Sequence, residues 1–168
     1  MKLYCFDTSG FSTPHEQMPE DVLMFRPMWT SLIEFVSSGA VATTTELYDE
    51  MCRITGSFGD TVRISRNELV MEVDDPAWNG VAYIRNYERM CIEHRQFISE
   101  YTHMSSKETI SLNDMTIVAL AKTLKLPVVS SESSSGNSPT KRRIPDMCKM
   151  ENVLHRTFVE FLRDEGLT

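Results

Sequence analysis

The chain has 168 residues, 41% of them hydrophobic and 24% charged, with a formal net charge of −7. This length fits one domain able to bury a core, and no apolar run approaches the roughly 20 residues of a membrane-spanning helix. The acidic balance argues against a protein that coats nucleic acid through a basic surface. In chain order, the first element is a strand over residues 2–6, too short in apolar length for a signal peptide. A loop rich in Ser, Thr, Pro and Gly follows over 8–19. A helix is predicted over 24–36, with Met28, Leu32, Phe35 and Val36 on one face, and Gly39 supplies its stop. A short strand over 40–43 leads to a helix that Thr45 can cap, running through Met51 and Ile54 toward Gly56.

The middle of the chain is less regular. Residues 61–65 alternate like a strand, and 69–73 read as either strand or helix. Asp75-Pro76 breaks the pattern. Ile84, Tyr87, Met90, Cys91, Phe97 and Ile98 fall at helical spacing over 81–101, and 105–107 reads as a loop. Strand and helix then alternate again. Ser111 or Asn113 caps a helix carrying Ile117, Val118, Leu120, Ala121 and Leu124. A strand over 127–130 precedes a polar, small-residue stretch over 131–141 expected to be a mobile loop. A helix over 144–150 has Pro145 in its first turn. A short strand over 152–155 and a helix capped by Thr157, with Phe158, Phe161 and Leu162 buried, end the chain. Strands alternating with helices imply an α/β fold with a parallel sheet covered on both faces.

Chemistry-bearing residues are sparse. Cys5, Cys52, Cys91 and Cys148 are scattered, with no C-x-x-C pair, and read as reduced thiols of a cytoplasmic protein. The histidines lack metal-ligand spacing. Four acids, in contrast, sit where strands end or helices begin: Asp7 after the first strand, Glu50 in the helix after the second, Asp114 at the start of an apolar helix, and Glu132 after the strand over 127–130. An isolated acid in such a place is ordinarily a turn or cap residue. In an open parallel sheet, however, ligands bind outside the carboxyl ends of the strands. Four carboxylates meeting there repel unless a divalent cation neutralises them. That pattern points to a magnesium- or manganese-dependent phosphodiesterase, with a nuclease as its leading form. On the helix after the second strand, Glu46 and Asp49 compete with Glu50, since Glu46 and Glu50 lie one turn apart.

Several segments in order resemble the PIN-domain family, in its VapC-type, toxin-related branch. They are Phe6-Asp7-Thr8-Ser9, Arg26-Pro27-Met28-Trp29, and Gly39-Ala40-Val41-Ala42-Thr43 with Leu47-Tyr48-Asp49-Glu50-Met51. Asn113-Asp114-Met115-Thr116-Ile117-Val118-Ala119-Leu120-Ala121, Val128-Val129-Ser130-Ser131-Glu132 and Ile144-Pro145-Asp146-Met147-Cys148 complete the set. The resemblance spans most of one domain, residues 1–168, with a mainly helical insertion at about 57–110 that it does not cover. It implies a three-layer α/β/α sandwich with a central, mostly parallel sheet, and metal-dependent RNA cleavage with Mg²⁺ or Mn²⁺. It selects Glu50 and assigns Asp7, Glu50, Asp114 and Glu132 as catalytic metal ligands, with Ser9 and Ser130 in support. The family often has Asn where Ser9 stands and Asp where Glu132 stands. Ser9 retains a hydroxyl able to hold a carboxylate or a water.

The implied partners are an RNA substrate and, as for the toxins it resembles, an antitoxin protein; a homodimer is left open. Lys141, Arg142 and Arg143, after the small-residue loop, suit phosphate contact, against the alternative of an ordinary solvated charge run. Trp29 and Phe35 read as core rather than as a base-stacking platform, and Asp146 as an exposed first-turn residue.

Overall fold

The computed structural model describes residues 1–99 and 109–167. Four short strands, β1 (Tyr4–Phe6), β2 (Val41–Ala42), β3 (Val128–Val129) and β4 (His155–Arg156), form one sheet in the order β2-β1-β3-β4, with every pairing parallel. Nine α-helices accompany them among the described residues: α1 (Ser9–Gln17), α2 (Arg26–Ser37), α3 (Thr45–Met51), α4 (Gly56–Ile64), α5 (Arg66–Leu69), α6 (Gly80–Glu93), α7 (Leu112–Leu124), α8 (Ile144–Met150) and α9 (Phe158–Asp164). This is an α/β fold, a three-layer α/β/α sandwich.

The layers follow from the alternation of side chains along each strand. Tyr4, Phe6, Val41 and Val129 enter one core, and Cys5, Ala42 and Val128 enter the other. The first core is aromatic: Phe6 stacks on Phe11 at 4.1 Å between centroids, and Phe58, Trp29 and Phe161 continue the cluster. Trp29 is thus a core residue. The second core is built on α7, whose residues from Ile117 to Ala121 are all fully buried. That helix lies between the sheet and α6, so its middle, from Ile117 to Ala121, is apolar on every side. Gly39 takes a positive φ of 78° just past α2, as its predicted stopping role requires. No helix among the described residues is long and apolar enough to cross a membrane.

Tertiary packing overrides the sequence expectation at several points. Residues 9–17 are helical rather than loop, because Phe11 and Pro14 are buried and Phe11 finds Phe6. Gly10 allows this approach: a β-carbon there would stand 2.8 Å from the Val129 carbonyl oxygen. Residues 61–65 are the end of α4 rather than a strand. Val62 and Ile64 would share a face in a strand, yet Val62 is fully buried and Ile64 is 82% exposed. Residues 69–73 contribute the end of α5 and one isolated bridge, Thr43 to Val70.

The helix after β2 ends at Met51, and Gly56 starts α4 instead of ending α3. The long helix expected over 81–101 stops at Glu93, followed by a 3₁₀ turn at Arg95–Phe97. Tyr101 and the loop over 105–107 lie outside the described residues. The final strand is His155–Arg156, slightly later than expected.

Candidate functional site

The strand order places a topological switch between β1 and β3: the chain leaves β1 toward β2, then crosses to β3 on the other side. Crevices at such points, outside the carboxyl ends of the strands, are where open α/β sheets bind ligands. Asp7 is the first residue after β1 and Glu132 the third after β3. Asp114 stands in the first turn of α7, and Glu50 near the end of α3. All four sequence-predicted acids therefore come to one edge of the sheet.

Asp7 is 5% exposed. Its Oδ2 accepts from the Ser9 backbone N–H at 3.0 Å and from Ser9 Oγ at 2.5 Å. Ser9 Oγ in turn accepts from the Ser131 N–H at 3.1 Å, tying the end of β1 to the end of β3. Burial pushes the Asp7 carboxyl up to about 7; the charges of Asp114 and Glu132 push the same way, against the Ser9 hydrogen bonds.

Asp114 closes a capping box with Ser111: its Oδ2 accepts from the Ser111 N–H at 2.9 Å, and its own N–H donates to Ser111 Oγ at 3.1 Å. Burial again raises its pKa, and the neighbouring Glu50 adds to the rise. Glu132 Oε2 accepts from the Ile144 N–H at 2.9 Å. Burial and Asp114 raise Glu132, while the Ile144 bond and Arg143 oppose them.

Glu50 is the acid of α3 that turns to this group. Its Oε2 accepts from Thr8 Oγ1 at 3.1 Å and its Oε1 from Asn113 Nδ2 at 3.2 Å. Glu46 and Asp49 are exposed. Asn113 is held from below: Thr116 Oγ1 donates to its carbonyl at 2.5 Å and bonds Thr44 Oγ1 at 2.9 Å, joining α7 to the start of α3.

The four carboxylates are linked by charge, Asp7 to Asp114 and Glu132, and Asp114 to Glu50 and Glu132. Among the described residues, the one trio of potential ligand atoms all within 4.8 Å of one another is Glu93, His94 and Glu151, at the far end of α6. There the acid is already compensated. Glu151 Oε2 meets Arg89 Nη2 at 2.7 Å and Lys122 Nζ at 3.3 Å, and its Oε1 meets His94 Nε2 at 2.6 Å. Burial raises Glu151, but the bonds from Arg89, His94 and Lys122 outweigh it and hold the carboxyl down at about 2. This is an ion-pair knot joining α6, α7 and the end of α8, with its acceptor sites taken.

The sheet-edge acids have no such ion-pair partners among the described residues. Among the described residues, no Lys or Arg forms an ion pair with Asp7, Glu50 or Asp114, and Asp7 Oδ1, Asp114 Oδ1 and Glu132 Oε1 accept no hydrogen bond. Carboxylate oxygens are the ligand type that hard divalent cations such as Mg²⁺ or Mn²⁺ prefer, but no three of these acids bring ligand atoms within 4.8 Å of one another among the described residues.

The remaining sequence-predicted residues divide. Ser130 is fully buried; its Oγ bonds His155 Nε2 at 2.8 Å and accepts from the Glu132 N–H at 3.3 Å, so it fixes the turn carrying Glu132. Arg142 lies over the Phe97 ring at 4.3 Å and donates to the Ser138 and Lys141 carbonyls at 2.7 and 2.6 Å, so its guanidinium fastens the loop. Arg143 is exposed, and its charge reaches Glu132. Asp146 is a loop anchor, not a bare first-turn residue. It accepts from Ser134 Oγ, from the Ser135 N–H and Oγ, and from the Arg143 N–H. Burial alone would raise its pKa; those bonds lower it.

Thr8 and Asn113, which position Glu50, were not singled out as site residues from the sequence. Each is the immediate neighbour of an acid that was, and adjacency was the signal available. Thr8 and Glu50 also line a recess of about 310 Å³ with Ser12, His15, Glu16 and Arg53.

Fold and site together define an α/β/α protein with a group of acidic residues at its sheet edge. Residues 4–168 match the DUF4411 family, described as a domain of unknown function, and the chain belongs to that family. No curated protein matches it.

Proposed function

We propose that this chain is a divalent-metal-dependent phosphodiesterase, an endoribonuclease that cleaves single-stranded or looped RNA by attack of water on phosphorus. The observation that carries the reading is the contrast between two sets of acids in one molecule. Glu151 is buried among basic partners, whereas burial and neighbouring acids raise Asp7, Asp114 and Glu132, and among the described residues each keeps one carboxylate oxygen that accepts no hydrogen bond. The resemblance to PIN-domain proteins adds RNA as the substrate class.

Asp7, Glu50 and Asp114 would hold the cation, with Glu132 completing the set. A bound Mg²⁺ or Mn²⁺ supplies Lewis-acid stabilisation of the charge developing on the phosphoryl oxygens and acidifies a water. The protein's own groups do the rest. Ser9 keeps Asp7 Oδ2 engaged, so Oδ1 is the atom presented. Thr8 and Asn113 set the orientation of Glu50, and Glu132 Oε1 would orient the attacking water. Lys141 and Arg143 would contact substrate phosphates, with Arg142 holding their loop in shape. By the same resemblance, the role proposed in the cell is that of a toxin restrained by an antitoxin protein; identifying the product of the adjacent gene and testing whether it blocks cleavage examines that step.

The wider spacing of the four acids, relative to the compact Glu93, His94 and Glu151 trio, supports a second reading: a binding module with this fold and no catalysis. Defined RNA, DNA and small phosphate esters incubated side by side with Mn²⁺, Mg²⁺ or a chelator separate the alternatives. RNA cleavage that the chelator abolishes upholds the proposal. Preferential turnover of DNA or of esters reassigns the substrate. A folded protein with no affinity for either cation favours the binding module.

A further inference from the structure

A second recess opens beside Glu50, across Asn113. It encloses about 320 Å³, and its walls include Thr45, Glu46, Tyr83, Tyr87, Leu112 and Asn113. Its size is at the lower end of the roughly 300–1,000 Å³ found for ligand pockets. Asn113 belongs to both places, since its side chain donates to Glu50 Oε1 at 3.2 Å. Recess and acidic group therefore share a wall, and a ligand in one lies next to a ligand in the other.

The lining is aromatic on one side. The Tyr83 and Tyr87 rings lie 6.5 Å apart at 30°, and Trp78 backs Tyr83 at 5.6 Å. Tyr83 is buried and Tyr87 half-buried, so Tyr87 is the ring that an incoming group meets. Glu46, exposed on the first turn of α3, adds a carboxylate within electrostatic reach of both phenols: after burial, its charge is among the causes that raise them. A flat aromatic face beside an acceptor-only group suits a planar ligand with N–H donors along one edge.

Resting on the nuclease reading above, we propose that this recess binds one unpaired base of the RNA strand, next to the phosphate being cut, with Tyr87 stacking on the base and Glu46 accepting its edge. The base favoured is guanine. Guanine offers a ring N–H and an exocyclic amino group side by side, which one carboxylate can accept together. Uracil offers a single N–H between two carbonyls that a carboxylate repels. Tyr87 thereby fixes the strand for cleavage, and Glu46 sets which nucleotide flanks the cut.

The test has two arms. In the first, single-stranded RNAs randomised around one cleavable position are digested by wild type, Tyr87→Ala, Tyr87→Phe and Glu46→Gln. Wild type should prefer guanine over uracil by on the order of tenfold, the scale of a two-bond base contact. Tyr87→Ala should raise KM roughly tenfold and leave kcat within about twofold, while Tyr87→Phe retains the stacking face and the wild-type KM. Glu46→Gln should erase the guanine preference.

In the second arm, guanosine and uridine monophosphates are titrated into ¹⁵N-labelled wild type. Guanosine monophosphate should shift the amides of Thr45, Tyr87 and Leu112, and uridine monophosphate should not. An unchanged nucleotide profile in Glu46→Gln, or amides unmoved by guanosine monophosphate, would overturn the inference. Wild type that cuts no RNA at all would defeat the nuclease reading instead. The titration, which needs no cleavage and no variant, then decides the recess alone: selective shifts uphold base binding there, and their absence ends it.

Discussion

Ser9 Oγ donates to Asp7 Oδ2 at 2.5 Å while accepting from the Ser131 N–H at 3.1 Å. One hydroxyl thus orients the acid that follows β1 and ties it to the turn that follows β3. Because Ser9 is neutral, the bond positions the carboxylate without cancelling its charge, which is what a cation ligand requires. Ser9→Ala should fold, since Ser9 is on the first turn of α1 and outside both cores. Its RNA cleavage should drop about tenfold or more, the scale of one lost hydrogen bond to a charged group. Steady-state cleavage assays on the variant at matched Mn²⁺ check this, with Ser9→Thr, which keeps the hydroxyl, expected to recover most of the rate.

The crowding of Asp7, Asp114 and Glu132 sets the response to metal. A cation that binds only the folded state stabilises it by mass action. The melting temperature should therefore rise with Mn²⁺ on the order of millimolar. Asp7→Asn should respond weakly, because a neutral amide replaces the buried carboxylate. Differential scanning fluorimetry across a metal titration makes the comparison, and identical curves with and without cation for wild type would count against a metal site.

The ion-pair knot around Glu151 gives a pH signature of its own. Its folded pKa is about 2, below the ordinary 4.5. A depressed carboxyl contributes stability that is fully present above the unfolded value and is lost as pH falls through the folded one. Glu151→Gln removes the negative charge shared by Arg89, His94 and Lys122 and turns one of its two acceptor oxygens into a donor, and should cost about 3 kcal/mol near neutral pH. The gap between wild type and variant should narrow as pH falls from about 4.5 to about 2. Urea unfolding at a series of pH values measures it; a gap that widens on acidification would reassign the knot.

Gly10 offers a test of how the sheet edge is assembled. A β-carbon there would meet the Val129 carbonyl oxygen at 2.8 Å and Phe6 Cδ1 at 3.1 Å. Neither β3 backbone nor the stacked Phe6 ring yields easily. Gly10→Ala should cost about 1–3 kcal/mol by overpacking and, by pushing α1 from β3, should also weaken the Ser9 to Ser131 contact. Denaturant unfolding gives the first effect and loss of the Mn²⁺ response the second.

What the sequence made legible follows from how local each signal is. Asp7 and Asp114 could be placed because a strand end and a capped helix start are marked within a few residues, and Ser111 completes its capping box with Asp114 three positions on. The parallel sheet was legible from strand and helix alternation. Helix α1 was not, because its Ser, Thr, Gly and Pro content reads as loop until Phe11 meets Phe6. Residues 61–65 misled because a short stretch of alternation fits two periods, and only the burial of Val62 against the exposure of Ile64 decides between them. The choice of Glu50 over Glu46 needed family register, since the bonds from Thr8 and Asn113 that single it out span 42 and 63 residues of chain.

The central claim is that the sheet-edge acids support metal-dependent RNA cleavage, and Asp114→Asn tests it most directly. The substitution removes charge with almost no change in volume. The Asn side-chain oxygen can still accept from the Ser111 N–H, so α7 keeps its cap. Cleavage of single-stranded RNA in Mn²⁺ should fall by on the order of a hundredfold or more, the loss expected when a ligand of the catalytic cation is neutralised. Binding of the same RNA should hold or tighten, with one negative charge fewer facing phosphate. Equal cleavage by wild type and Asp114→Asn, in preparations free of contaminating nuclease, would contradict the account.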